Sequence, residues 1–187
     1  MTHDTFKPNL TPTQVIEAGA FGGSYFGIVV DGYEDDYNDL FEALFANIDT
    51  KLYLGDKYIA KLNKFGIRSG KDYKYWKDNQ WIRSQDPRGW FAWYCNYYLG
   101  RRSSDDDRQI KRWLDFCGPN GRWRNNIYSR IYSTGDWDVS PRIQQSLLHW
   151  GYAVNENDYY AWTEDKHYPE EKWCHYAGLP SPRAYEY

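Results

Sequence analysis

Start and stop signals divide the middle of this chain into short, separate helices, and that division constrains the fold more than any other feature. Ser104 is a good N-cap, and Asp105, Asp106 and Asp107 fill a first turn where the helix dipole favours negative charge. Gly118-Pro119 closes that segment after Cys117. A second segment runs from about Arg122 to Ser133 and stops at Gly135. A third starts at Ser140-Pro141 and stops at Gly151, just after Trp150. Upstream, Asp86-Pro87 opens a helix expected over 87–101. The signals agree with one another, so residues 86–151 are expected to form three or four helices.

The first eighty residues are less clearly punctuated. Thr11-Pro12 starts a short helix in TPTQVIEAG. Gly19, Gly22, Gly23 and Gly27 then break AFGGSYFG into turns or points of close backbone approach. Ile28, Val29 and Val30 form the best strand candidate. Leu40, Phe41, Leu44, Phe45 and Ile48 recur at helical spacing over 35–48, and Tyr58, Ile59, Leu62 and Phe65 continue the pattern over 53–65. Residues 72–80 suit another short helix. Residues 1–13 read as a polar lead-in. The expected fold is therefore mainly α: a compact single-domain helical bundle of residues 1–187, with at most a minor β element. Its helical core spans 14–152, and 153–187 form an acidic, aromatic C-terminal extension that could wrap over the helices.

The hydrophobic residues are unusual in kind. Aromatics make up 20% of the chain, with 19 Tyr and 10 Trp, so the core must find partners for many ring hydroxyls and indole N–H groups. Charge is uneven. Residues 81–142 carry eleven bases against seven acids, and Lys111 is the only Lys among those bases. Outside that segment Arg68 and Arg183 are the only Arg. Arg suits bidentate phosphate or carboxylate contacts and stacking on rings, whereas Lys suits a solvated surface. The overall charge of −3 predicts no general affinity for polyanions, so any such contact must be local.

Cys95, Cys117 and Cys174 lie far apart, which supports neither a zinc site nor a disulfide framework; no metal and no cofactor are expected. MTHDTFKPNL does not read as a secretory signal, and no apolar run approaches a membrane span. A cytoplasmic or nuclear location is the expectation. His149 and His175 stand singly and read as packed residues, and Cys174 beside His175 is no nucleophile pair.

Two stretches carry candidate chemistry. In the 87–101 helix, Trp90, Trp93, Tyr94, Tyr97 and Arg101 share one side, and Phe91, Cys95, Tyr98 and Arg102 share another. One side is expected in the core and the other along a groove, where rings stack bases; the alternative is a purely structural aromatic helix. Arg108 and Arg112 lie one turn apart on the next helix, and Arg88 precedes the rings. An Asp–Arg lattice there is equally the mark of a solvated salt-bridge face. In EAGAFGGSYF, Glu17 precedes glycines whose N–H groups could meet an anion, though the pattern is no phosphate loop, and a structural turn is the alternative. The substrate-binding candidates are thus Arg88, Trp90, Trp93, Tyr94, Arg101, Arg102, Arg108 and Arg112, with Glu17 and Asp107 as candidate acid or base.

EAGAFGGSYF, DPRGWFAWYCNYYLGRRSSDDDRQIKRW and SPRIQQSLLHWGY together resemble a protein family of phages, large DNA viruses, fungi and plants. The resemblance covers roughly residues 14–152 and brings no activity with it. It implies that Glu17, Asp86, Arg88, Trp90, Trp93, Tyr94, Arg101, Arg102, Asp107, Arg108, Arg112 and Trp113 belong to a shared site or a shared core. Family members carry Gln and Arg near Ala92 and Asn96; if those groups serve chemistry, this chain lacks part of it. Three functional readings follow. The first is a nucleic-acid-associated protein acting on DNA bases or nucleotides. The second is a small-molecule enzyme or binder for a nucleotide-like anion. The third is a viral protein that binds a host protein, since Tyr, Trp and Arg are also interface hot-spot residues. The sequence does not choose an oligomeric state.

Overall fold

The computed structural model describes residues 3–30 and 37–166. Among them are the α-helices α1 (Pro12–Glu17), α2 (Asn38–Phe45), α3 (Tyr73–Asp78), α4 (Trp90–Tyr98), α5 (Asp106–Cys117), α6 (Arg122–Thr134), α7 (Pro141–Leu148) and α8 (Glu156–Asp165). The only β pairing among the described residues is an isolated bridge between Arg83 and Asp86, so the fold is mainly α. No described helix is long and apolar enough to cross a membrane.

The helices of the central block form near their signals, but α4 is shorter than the expected 87–101. It starts at Trp90 after Gly89, because the Asp86 carboxylate is engaged by Arg101. Ser140 precedes α7 without a side-chain capping bond. Thr11 and Gln14 make a reciprocal capping box at the start of α1. The start of α5 differs from expectation. Ser104 does not cap it; the backbone N–H and hydroxyl of Ser103 both donate to the Asp106 carboxylate, 2.9 and 2.7 Å away. Asp106 is buried and also accepts the Trp93 indole N–H at 2.8 Å. A carboxylate in the first helical turn thus ties two helices together.

α1, α2 and α4 pack as one group, and α6 packs against α5, α7 and α8. Indoles bridge the groups: Trp90 donates to the Gln109 carbonyl on α5, and Trp113 of α5 donates to the Trp150 carbonyl after α7. Phe6, in the segment read as a polar lead-in, enters this junction. It stands edge-on to Trp90, Tyr94, Tyr97 and Trp113.

Two expected elements do not form, for one connected reason. Over 53–65 there is only a 3-10 turn, Ala60–Leu62. The backbone N–H groups of Gly55, Ile59 and Lys64 donate instead to the carbonyls of Gly23, Gly22 and Gly19. The segment is therefore zipped to the glycine loop and cannot satisfy an α-helical ladder at the same time. Gly19 makes the approach possible: its φ is +70°, and a Cβ there would lie 2.2 Å from the Leu62 carbonyl oxygen. The strand expected at 28–30 is absent because Ile28 bonds back to the Ser24 carbonyl in a turn, with Val29 left exposed.

Of the segment read as a C-terminal extension, α8 packs on α6, and residues 167–187 lie outside the described residues. Tyr159 and Trp162 are buried against Tyr128 of α6, and the Trp162 indole donates to Asn125. Cys174 and His175 lie outside the described residues. Cys95 and Cys117 are buried free thiols, whose acidity burial suppresses.

Candidate functional site

A cavity of about 640 Å³ opens where α4, α5, α6 and α7 meet the 68–82 segment. Its walls are rings. Trp90 from α4 lies 4.8 Å from Trp150, which stacks at 4.8 Å on Phe116 of α5. Trp123 at the start of α6 extends that wall. Trp76 and Trp81, from the 68–82 segment, also line it, and Trp81 is 44% exposed. Phe21 and Tyr25, from the glycine loop, and Phe91 complete the lining. The size falls within the range of small-molecule sites, and the apolar walls suit a planar ring.

The charged groups on this wall are all cations: Arg68, Lys71, Arg112 and Arg142. Among the described residues no Asp or Glu lines the cavity. Arg112 stands over the Trp150 ring at 5.3 Å and donates to the Gln109 amide oxygen at 2.8 Å. Burial, with Arg108 nearby, pushes its pKa down to about 10, so it stays charged at neutral pH. Among the described residues none of these four cations forms an ion pair with a carboxylate.

His149, at the end of α7, stacks on Phe21 with ring centroids 4.9 Å apart. Burial lowers its pKa to about 4, partly offset by the Ala20 carbonyl, so the imidazole is neutral at pH 7. Its Nε2 is shielded from solvent and has no hydrogen-bond partner among the described residues. Gly70 lets the chain pass beside this ring: a Cβ there would lie 3.0 Å from the imidazole.

Of the residues singled out from the sequence, Trp90 and Arg112 line the cavity. Arg88 lies beside it, lining an adjoining compartment, but its guanidinium donates to the Tyr25 and Ile28 carbonyls and clamps the glycine loop. Trp93 and Tyr94 are core residues; the Tyr94 hydroxyl donates to the Leu10 carbonyl. Both sides of the first turns of α4 are buried, because each ring finds a partner for its polar atom. Arg101 is held by Asp86 and Arg108 by Asp105. Arg102 lies exposed over the Tyr97 ring. Glu17 ends α1 on the surface, and Asp107 is exposed in the first turn of α5; neither lines the cavity. The glycine loop is no anion cradle at Gly22, Ser24 or Phe26, whose N–H groups donate to Asn63, Phe21 and Tyr53.

Arg68, Lys71, Trp76, Trp81, Phe116, Arg142 and Trp150 were not singled out. The signal for Arg68 was present, as the only Arg before residue 81. Among the described residues no group of His, Cys, Asp and Glu is placed to hold a metal. No family model matches the chain, and neither a curated protein nor a solved structure matches it.

Proposed function

We propose that this protein binds a nucleotide, with the base between the cavity rings and the phosphate against Arg68, Lys71, Arg112 and Arg142. One observation carries the reading: among the described residues, a ring-lined cavity is faced by four cations and no carboxylate. Rings supply base stacking whatever the base, and Arg supplies geometry-matched phosphate contacts. The compact cavity favours a nucleotide over an extended polymer track. A track over α4 and α5 would draw on Arg101 and Arg108, and both are engaged by carboxylates. A nucleic acid is the second reading, favoured by the exposure of Trp81, a lining ring that a strand could stack on. A cytoplasmic or nuclear location belongs to the same proposal. The reading is of a binder; the carboxylates Glu17 and Asp107 stand away from the cavity.

The test is a titration of intrinsic Trp fluorescence, because Trp76, Trp81, Trp90, Trp123 and Trp150 all line the site. The ligands are 5′-mononucleotides, the matching nucleosides, inorganic phosphate and single-stranded oligonucleotides, each at two salt concentrations. The expected result is saturable mononucleotide binding, weaker nucleoside binding, and weakening of roughly tenfold or more in Arg112→Gln. Silence for mononucleotides together with salt-sensitive oligonucleotide binding transfers the conclusion to the second reading. Silence for every ligand overturns both.

A further inference from the structure

The large cavity adjoins a second compartment of about 140 Å³. Phe21, Tyr25, Arg68, Lys71, Trp76 and His149 line both. Arg68 and Lys71 therefore stand at the junction, and Arg68 lies 4.6 Å over the ring of Tyr58, which lines the small compartment alone. An anion held there has ring-lined space on either side.

The small compartment differs in charge from the large one. Asp72 lines it, with a carboxylate that also caps α3 by accepting the Tyr75 N–H at 2.9 Å. Arg88, the cation that lines this compartment and not the large one, is already engaged by the Tyr25 and Ile28 carbonyls. A second phosphate in that space would therefore meet the negative charge of Asp72. A neutral, hydroxyl-bearing group would not, and the unpartnered Nε2 of neutral His149 on the shared wall can accept a hydrogen bond from such a group.

We infer that the ligand is a nucleoside phosphodiester. Its phosphate sits at the junction, its base in the large cavity, and the second substituent of the phosphate enters the small compartment. This rests on the nucleotide reading above and narrows it to a phosphate with organic groups on both sides. A free dinucleotide and the end of a nucleic-acid strand share this chemistry.

The experiment titrates the full chain by Trp fluorescence with 5′-mononucleotides, nucleoside 5′-diphosphates and dinucleoside monophosphates. The diester carries less negative charge than a monoester, so charge cannot explain tighter binding of the diester. The expected result is a gain of about tenfold for the diester over the mononucleotide. Ile28→Trp is the companion variant: Ile28 is partly exposed and lines only the small compartment. It should remove the gain and leave mononucleotide affinity unchanged. Equal affinities, tighter diphosphate binding, or a gain that survives Ile28→Trp overturns this inference while leaving the nucleotide reading in place. Binding of none of the three overturns both. With the diester gain in hand, a longer oligonucleotide of equal affinity identifies a strand end as the source, and a weaker one identifies the free dinucleotide.

Discussion

Asp86 places both carboxylate oxygens 2.7 Å from one guanidinium nitrogen of Arg101, fifteen residues away across α4. The Asp86 side chain is 1% exposed and that of Arg101 31%. Burial pushes the Asp86 carboxyl above the usual carboxylate range, and Arg101 pulls it back only in part. Desolvation of the carboxylate is thus only partly offset, and the intact pair adds little net stability. Arg101→Ala would leave a buried carboxylate without its cation and cost about 3 kcal/mol at neutral pH, the low end for breaking a buried pair. The sign with pH follows. A carboxyl whose folded pKa lies above its unfolded value favours the fold when protonated, so the loss should shrink as pH falls. Urea unfolding of both proteins at pH 7 and pH 5 checks this; a loss that grows on acidification would refute it.

Phe6 yields a second prediction. It is only half-buried, yet it meets Trp90, Tyr94, Tyr97 and Trp113 edge-on, with centroids between 5.2 and 6.3 Å. Edge-to-face geometry adds to the area it buries. Phe6→Ala should therefore cost about 3 kcal/mol, near the lower end for a Phe truncation. Thermal and urea unfolding would show it, and a loss below about 1 kcal/mol would mean the N-terminal segment is not docked in solution.

Phe6 also shows what the sequence could not reveal. A single ring among MTHDTFKPNL has no periodicity, and only the tertiary cluster gives it a place. The central helices were legible because Gly118-Pro119, Gly135, Ser140-Pro141 and Gly151 act locally. The helical spacing of Tyr58, Ile59, Leu62 and Phe65 misled, because their backbone is committed to the glycine loop across a long sequence separation. The site was half legible. Arg density drew attention to Arg101 and Arg108, but ion pairing is a property of space, and Asp86 and Asp105 engage both. Trp90 and Arg112 were found because they lie in the same dense block. Arg68, Arg142 and Trp150 reach the cavity from separate segments, which no single window of sequence joins.

His149 predicts a pH dependence. Its folded pKa, about 4, lies below the ordinary value of 6.5. Folding favours the neutral imidazole, so this contribution is fully present above pH 6.5 and is lost as pH falls towards 4. Each pH unit across that window removes about 1.4 kcal/mol. Among the described wall groups Arg68, Lys71, Arg88 and Arg142 also disfavour a second positive charge, and the carboxylate of Asp72, which lines the small compartment with His149, is outweighed by burial. His149→Phe keeps a ring against Phe21 and should flatten this part of the profile. The measurement is the difference in urea stability between the two proteins from pH 7.5 to 4.5, which cancels carboxylate titrations common to both. Parallel curves would show that the imidazole stays solvated in the folded protein.

The four cavity cations and the engaged arginines of α5 give the last prediction. Arg142→Gln removes a charge from the cavity wall without breaking an ion pair, because its side chain is exposed and its main-chain carbonyl, which Ser69 uses, remains. Stability should change by less than about 0.5 kcal/mol, as for other surface substitutions. Mononucleotide affinity should fall roughly tenfold, the scale of one charge-assisted hydrogen bond. Arg108→Gln should do the reverse. It releases Asp105 from a two-bond pair at 2.6 and 2.7 Å, so it should lower stability modestly and leave affinity alone. Unfolding curves and fluorescence titrations on the same two variants separate the cases. If Arg108→Gln weakens binding and Arg142→Gln does not, the phosphate contact lies on the outer face of α5 and the cavity is not the site.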